Sequence, residues 1–252
     1  MIRNKKIYFA SDLHLGLHSY DKSLKREKLF VQWLDEIKKD AKEIYLVGDV
    51  FNFWFEYRKV VPRGFTRFLG KVSEITDGGI PVHFFTGNHD IWAFDYLPEE
   101  TGVILHRKPF LKEFNGLKFF IAHGDGLGPG NKNYKIIKKM YTNPLFQWLF
   151  ARLHPNFAIS IAHYCVRKSR YDIAEQFKGE DKEWLILFAK KKLEREYFDY
   201  FIFGHRHIPF DIKLNKKSRL INLGDWINNF SYAAFDGKDL KLKTYNKTTG
   251  NI

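Results

Sequence analysis

Short apolar runs alternate with helical patterns along most of this chain, and few folds accommodate such an order. The runs typical of β-strands are Ile7 to Ser11, Ile44 to Val47, Val82 to Thr86, Lys118 to Ala122 and Tyr200 to Phe203. Helical patterns separate them at Leu24 to Lys39, Phe65 to Ile75 and Glu180 to Tyr197. Strands that alternate with helices indicate an α/β core. With 252 residues, the chain is long enough for one large domain or for a domain with an appendage.

Four further strand candidates lie near the C-terminus. They are Phe210 to Leu214, Arg219 to Leu223, Ser231 to Phe235 and Leu240 to Tyr245. Turn signals at Asn215-Lys216-Lys217 and Asp236-Gly237-Lys238 divide them. Successive short strands joined by tight turns predict a β-meander at this end of the chain.

The segment from Gly126 to Tyr171 interrupts this alternation. It contains no Asp or Glu but eight Lys and Arg residues, so it carries most of the excess in a net charge of +13. It combines helical patterns, breaks near Pro144 and Pro155, and many aromatic residues. We predict a helical insertion or cap at 126–171 on a core formed by 1–125 and 172–252. The alternative is an ordinary amphipathic helix pair with a solvated basic face.

Five polar motifs directly follow apolar runs, which places them in loops at strand ends. They are Asp12-Leu13-His14, Gly48-Asp49, Gly87-Asn88-His89-Asp90, His123-Gly124-Asp125 and Gly204-His205-Arg206-His207. Open α/β sheets place their ligand sites at the carboxyl ends of strands. Carboxylate, amide and imidazole ligands gathered there suit Mn, Fe or Zn better than Ca or Mg. The motifs therefore predict a metal centre.

Other features limit the cellular setting. No run approaches the roughly 18 apolar residues that a membrane-spanning helix needs, and a strand-like run begins at Ile7 without a signal-peptide pattern. The single cysteine, Cys165, cannot form an internal disulfide. We therefore expect a cytoplasmic protein whose basic surface attracts anions.

In their order along the chain, the five motifs resemble those of the calcineurin-like metallophosphoesterase superfamily. The resemblance implies a double-sheet αββα sandwich with two divalent metal ions. We expect these ions to be Mn²⁺. It places Asp12, His14, Asp49 and His207 on one ion and Asp49, Asn88, His123 and His205 on the other. Asp49 would bridge the two ions, and the pair would activate water and neutralise phosphoryl charge. His89, held by a hydrogen bond that its imidazole donates to the Asp90 carboxylate, is predicted to stabilise the transition state or to protonate a leaving oxygen.

A narrower resemblance is to the UDP-2,3-diacylglucosamine hydrolase family of lipid A biosynthesis. It rests on Gly48-Asp49-Val50-Phe51, on the insertion ending in Arg167-Lys168-Ser169-Arg170, and on Leu223-Gly224-Asp225-Trp226. It implies cleavage of the pyrophosphate of a doubly acylated nucleotide sugar, a lid over the acyl chains, and a peripheral position on the cytoplasmic face of the inner membrane. The implied substrate contacts are Asn88, His89, Asn131, Arg167, Lys168, Ser169 and Arg170. No nucleic acid and no obligate protein partner are expected.

One residue departs from that narrower pattern, because many members carry Arg at the position of His89. Either Arg or a charged His could face a leaving phosphate, so His89 also leaves open substrates with an alkoxide leaving group. Two alternatives follow: a metallophosphoesterase acting on nucleic acid or a soluble nucleotide, and a non-catalytic anion-binding scaffold. The scaffold would require a broken ligand set, and all seven ligands are present in the sequence.

Overall fold

The computed structural model describes residues 5–130, 132–170, 176–177 and 179–246. The strands are β1 Lys6–Ala10, β2 Ala41–Val47, β3 Val82–Phe85, β4 Ile104–His106, β5 Phe110–Phe114, β6 Leu117–Ile121, β7 Tyr200–Phe203, β8 Pro209–Lys213, β9 Arg219–Leu223, β10 Ser231–Phe235 and β11 Leu240–Thr244. The helices are α1 Tyr20–Ile37, α2 Thr66–Asp77, α3 Tyr96–Thr101, α4 Lys132–Tyr141, α5 Pro144–Phe150, α6 Pro155–Arg170 and α7 Trp184–Leu193.

The strands form two sheets. The first has the order β11-β10-β1-β2-β3-β4, in which β1 to β4 are parallel, β10 is antiparallel to β1, and β11 is antiparallel to β10. The second has the order β5-β6-β7-β9-β8, with β6, β7 and β9 parallel and antiparallel strands at both edges. Each sheet therefore has a parallel centre, whose strands all end at one edge.

Alternation of side chains along β1 shows how the layers form. Ile7 and Phe9 belong to the apolar cluster between the two sheets, together with residues of β6, β7 and β9. Tyr8 and Ala10 belong to a different cluster, between the first sheet and its helices. Successive side chains of a strand point to opposite faces, so a central strand with both faces covered is apolar throughout.

Helices cover the outer faces of both sheets. In α1, the buried residues Phe30, Trp33, Leu34 and Ile37 recur at spacings of three and four, which places them on one face of the helix. Leu185, Ile186 and Ala189 of α7 pack in the same way against the second sheet. The layers are thus helix, sheet, sheet, helix, and the predicted αββα sandwich is confirmed.

The predicted C-terminal meander is wrong. β8 and β9 form an antiparallel hairpin in the second sheet, whereas β10 and β11 form one in the first. The turn residues predict each hairpin, because a hairpin is local, but they carry no signal for the sheet that it joins. The chain crosses between the sheets after β9, where Trp226 is fully buried among α1 and the first sheet.

The basic segment forms α4, α5 and α6. Its predicted break at Pro144 begins α5, where the Asn143 side chain accepts a hydrogen bond from the Leu145 backbone N–H at 2.8 Å. The Trp92 indole donates to the Tyr141 carbonyl at 2.7 Å, and the Phe150 ring lies 4.7 Å from those of Phe55 and Trp92. The three helices therefore attach to the core loops through a small aromatic cluster.

Much of this helical segment is apolar and exposed. Of the 18 large apolar side chains that are exposed among the described residues, 12 lie between Ile136 and Tyr164. Leu145 is 61% and Trp148 is 53% exposed. None of the helices in the described ranges is long and apolar enough to span a bilayer.

Candidate metal centre

The predicted ligands all lie in loops that follow parallel strands. Asp12 and His14 follow β1, Asp49 follows β2, and Asn88 and His89 follow β3. In the second sheet, His123 follows β6 and the pair His205 and His207 follows β7. Because parallel strands end at the same edge, the two packed sheets bring residues almost two hundred positions apart into one site.

One group of ligand atoms comes from Asp12, His14 and His207. All three can offer an atom within 4.8 Å of the others. The Nε2 atoms of the two imidazoles are 3.3 Å apart, and Asp12 Oδ1 lies 3.3 Å from His207 Nε2 and 3.6 Å from His14 Nε2. His14 and Asp12 are fully buried, whereas the His207 side chain is 22% exposed.

A second group comes from Asp49, His123 and His205. Asn88 adds its amide oxygen, which lies 3.4 Å from His123 Nε2. The carboxylate of Asp49 lies between the two groups, because its Oδ2 is 3.3 Å from His123 Nε2 and 3.6 Å from His14 Nε2. The structure therefore brings together all seven predicted ligands, with one carboxylate shared by two groups.

Further contacts orient the imidazoles. His123 Nδ1 lies 2.9 Å from the Val47 carbonyl, which directs Nε2 towards Asp49. His207 Nδ1 lies 3.4 Å from Asp225 Oδ2, and Asp225 Oδ1 accepts three backbone N–H groups, from Ile227 to Asn229. Such outer hydrogen bonds set the tautomer and the orientation of a metal-bound imidazole. Sequence reasoning missed this role of Asp225, although Leu223-Gly224-Asp225-Trp226 was a recognisable signal.

The backbone at the ligands is unusual. Nine non-glycine residues in the described part of the chain have a positive φ, and five of them are the predicted ligands Asp12, His14, Asp49, His205 and His207. Such conformations cost on the order of 1–3 kcal/mol each and concentrate at functional sites. The fold holds these loops in a strained form that points the ligands inward.

The motif glycines have a steric role. A Cβ on Gly87 would lie 2.2 Å from Asp49 Oδ1, and one on Gly204 would lie 2.0 Å from Ser11 Oγ and 2.5 Å from Asp12 Oδ2. A Cβ on Gly48 would lie 2.5 Å from His123 Nδ1. In each case a ligand side chain occupies the space that a side chain on the glycine would need, so these three positions require glycine.

The charges of the site affect one another strongly. Burial by itself lowers the pKa of His123, but the adjacent Asp49 carboxylate raises it to about 10. Burial and the neighbouring His123 lower the pKa of His205 to about 3, so that this imidazole is neutral. A neutral imidazole can bind a metal directly, whereas a charged one must first release its proton. A cation between Asp49 and His123 would take the place of that proton.

One atom tests directly whether divalent cations fit. Asp12 Oδ1 is completely buried and has no hydrogen-bond partner among the described residues. Its other oxygen, Oδ2, accepts from Ser11 Oγ and from the His205 backbone N–H. A buried carboxylate oxygen without a donor is costly. A cation beside His14 and His207 would satisfy it, so the residues present fit a metal.

The predicted hydrogen bond between Asp90 and His89 is wrong. Asp90 accepts instead from the backbone N–H groups of Gly87 at 2.6 Å and Val50 at 2.8 Å, and this joins the loops after β3 and β2. His89 Nδ1 lies 2.8 Å from the Asn52 carbonyl. The backbone N–H groups of these tight loops attract the carboxylate of Asp90, which the sequence spacing alone could not reveal. Asp90 therefore supports the loops, and His89 is oriented by the backbone.

The predicted substrate contacts can be located only in part. Asn88 and His89 lie at the metal centre, in the positions given above. Asn131 lies outside the described residues, and so do the side chains of Arg167, Lys168, Ser169 and Arg170 at the end of α6. These five remain predictions.

Comparison with known proteins agrees with this geometry. The family model for calcineurin-like phosphoesterases matches residues 5–209. The UDP-2,3-diacylglucosamine hydrolase of Porphyromonas gingivalis is 41% identical over 95% of this chain and 97% of its own length. The enzyme of the same name from Vibrio parahaemolyticus is 28% identical over 94% of this chain and 98% of its own. Both alignments include the helical segment. The chain is therefore a metal-dependent hydrolase that belongs to the calcineurin-like phosphoesterase family.

Proposed function

We propose that this protein hydrolyses the pyrophosphate bond of UDP-2,3-diacylglucosamine to UMP and 2,3-diacylglucosamine 1-phosphate, a step of lipid A biosynthesis. The observation that carries the proposal is the 41% identity to a hydrolase of that name over nearly the whole of both chains. The convergent Asp, Asn and His side chains provide the chemistry that such a cleavage needs. The proposal also includes Mn²⁺ as the metal, because the donors are mixed oxygen and nitrogen atoms.

In this proposal, Asp12, His14, Asp49, Asn88, His123, His205 and His207 hold two divalent cations. When bound, such ions polarise the phosphoryl oxygens and activate water. Asp49 supplies the negative charge that both positions share, which its place between the two groups of ligand atoms supports. Asp225 and the Val47 carbonyl keep His207 and His123 in their productive orientations.

His89 is proposed to contact the substrate. Its Nδ1 donates to the Asn52 carbonyl, and Nε2 is the atom that we propose to face a phosphoryl oxygen. The leaving group in pyrophosphate cleavage is a phosphate monoester with a second pKa of about 6, so it needs no proton to depart. His89 therefore has to supply positive charge and position, which does not require general acid catalysis.

We expect purified protein with Mn²⁺ to release UMP from UDP-2,3-diacylglucosamine and to leave DNA and RNA intact. A net charge of +13 would also suit a polyanion, so single- and double-stranded nucleic acids are incubated in parallel at low and high salt. The affinity of nonspecific nucleic-acid binding falls steeply as the salt concentration rises. The rate of hydrolysis of the lipid substrate should not fall in this way. Degraded nucleic acid beside intact lipid substrate would favour the alternative of a nuclease or nucleotidase.

The segment 126–171 is proposed to be a lid that receives the acyl chains and rests on the inner-membrane surface. Its support is the combination of exposed apolar residues, such as Leu145 and Trp148, with lysines and arginines. Amphipathic helices of this composition bind at membrane interfaces, where a basic residue contributes about 1 kcal/mol.

Replacement of Leu145 and Trp148 together by serine should release the protein from anionic vesicles. Burial of each such side chain contributes about 1.5–3 kcal/mol, so the partition coefficient should fall at least about tenfold. Co-sedimentation with phosphatidylglycerol vesicles measures it. Leu111→Ser removes a side chain of similar exposure, 49%, from β5 and serves as the control. Equal binding of both variants would argue against the lid as the membrane contact.

A further inference from the structure

A cavity of about 450 Å³ adjoins the metal centre and has no part in the roles described so far. His123 and Gly87, which belong to the metal loops, form one wall. The segment after β4, Arg107 to Pro109, forms another wall, and α4 and α5 contribute Lys138 and Gln147. The cavity thus lies between the core and the helical segment, beside the second group of ligand atoms.

The charges of the cavity favour an anion. Arg107, Lys108 and Lys138 line it, against the single carboxylate of Asp125. Lys138 lies 2.6 Å from Asp125, so these two charges offset each other. Arg107 donates to the carbonyls of Ala93 and Phe94, which are neutral, and among the described residues no ion pair involves Lys108. The nearby carboxylates of Glu56 and Asp95 partly offset the charge of Arg107, but the lining keeps a net positive charge.

Flat rings form the other part of the lining. His106 stacks on Phe85 with ring centroids 4.6 Å apart and an angle of 22°, and its Nε2 lies 2.8 Å from His83 Nδ1. Burial lowers the pKa of His106 to about 4, so the ring is neutral near pH 7. The guanidinium of Arg107 lies over the ring of Phe94, 5.2 Å from its centroid. Faces of this kind suit a planar base, which stacks on aromatic rings and guanidinium planes.

One side chain can read the edge of such a base. Gln147 donates through Nε2 to the Tyr141 carbonyl at 2.9 Å. This bond fixes the amide and leaves its carbonyl oxygen as an acceptor for an N–H group. An acyl chain would bind poorly in this cavity, because it would displace water from the three positively charged side chains of the lining.

We propose that this cavity binds the nucleoside 5′-phosphate half of the substrate, with the base against His106 and the Arg107 guanidinium and its phosphate directed along Lys108 towards His123. The inference rests on the proposed function, in which the product released is UMP. It assigns the nucleotide and the acylated sugar to separate surfaces of the same site. The nucleotide would then enter past the loop after β4, and the acyl chains would lie among the exposed apolar residues of the lid.

Binding of UMP to the purified full-length protein, measured by isothermal titration calorimetry without lipid substrate, tests the inference. Lys108→Ala removes an exposed cation and Gln147→Ala removes the amide, and each should weaken UMP binding about five- to tenfold, as expected for one lost charged or directional hydrogen bond. Lys213→Ala, an exposed lysine of β8, is the matched control and should bind UMP as the unchanged protein does. The KM for the lipid substrate should rise in parallel.

The outcomes separate this inference from the proposed function. UMP binding that depends on Lys108 and Gln147 supports the cavity even where UDP-2,3-diacylglucosamine is not hydrolysed, in which case only the proposed substrate is wrong. Hydrolysis of that lipid together with unchanged UMP binding in both variants overturns the cavity and leaves the function intact. Equal affinity for inorganic phosphate and UMP would also overturn it, because the rings and Gln147 would then contribute nothing.

Discussion

Replacement of Asp49 by alanine should remove metal binding and hydrolysis together. The Asp49 Oδ2 atom lies 3.3 Å from His123 Nε2 and 3.6 Å from His14 Nε2, so it is the carboxylate common to both groups of ligand atoms. Without it, two cations would face each other with no charge between them. We expect kcat/KM on a chromogenic phosphodiester to fall by at least about a thousandfold, since several kcal/mol of charge stabilisation are lost. Metal content, measured by mass spectrometry of the purified variant, should fall with it.

Two further variants separate charge from structure. Asp49→Asn keeps an oxygen that can accept from the His89 backbone N–H, as Oδ1 does at 2.9 Å, but removes the charge. It should lose metal and activity with little change in thermal unfolding. Asp211→Ala removes a partly exposed carboxylate of β8 that pairs with Arg219 of β9, and this variant should retain both metal and activity. A folded Asp49→Ala protein with full turnover would mean that the chemistry occurs elsewhere.

The substitution Gly204→Ala should damage both the fold and the metal centre. The added Cβ would lie 2.0 Å from Ser11 Oγ and 2.5 Å from Asp12 Oδ2, and both residues are buried. Overpacking of this kind costs typically 1–3 kcal/mol. For a chain of this size each kcal/mol lowers Tm by about 2–4 °C. The displaced Asp12 should in addition weaken metal affinity, which titration with Mn²⁺ measures.

Gly70→Ala is the matched control for this prediction. Gly70 lies within α2, its φ is not positive, and a Cβ there would meet nothing within 4 Å. Alanine is the better helix former by roughly 0.5–1 kcal/mol, so this variant should be slightly more stable. If both variants were equally stable and bound Mn²⁺ equally, the close approach at Gly204 would not be a constraint on the site.

The alternation of apolar runs and helical patterns predicted an α/β core, and the family resemblance added the double-sheet arrangement. The central strands are apolar because both faces are covered, and this pattern is visible in the chain itself. Asp12 and Asp49 follow neighbouring parallel strands, so their proximity follows from strand direction, whereas His123 follows a strand of the second sheet and joins them only when the two sheets pack. The partners of Asp90 and Asp225 were not predictable, because backbone N–H groups of distant loops become neighbours only when the sheets pack.

By itself, the sequence determined which side chains can bind cations and where each stands relative to its strand, since both depend on local order along the chain. Only the tertiary structure decided that the hairpins after β7 and β9 join different sheets, that Asp49 lies between two groups of ligands, and that a cavity opens beside His123. The physical reason is that these features depend on the packing of two sheets and the helices α4 to α6 against one another. Packing brings together residues far apart in the chain, and no local pattern records such contacts.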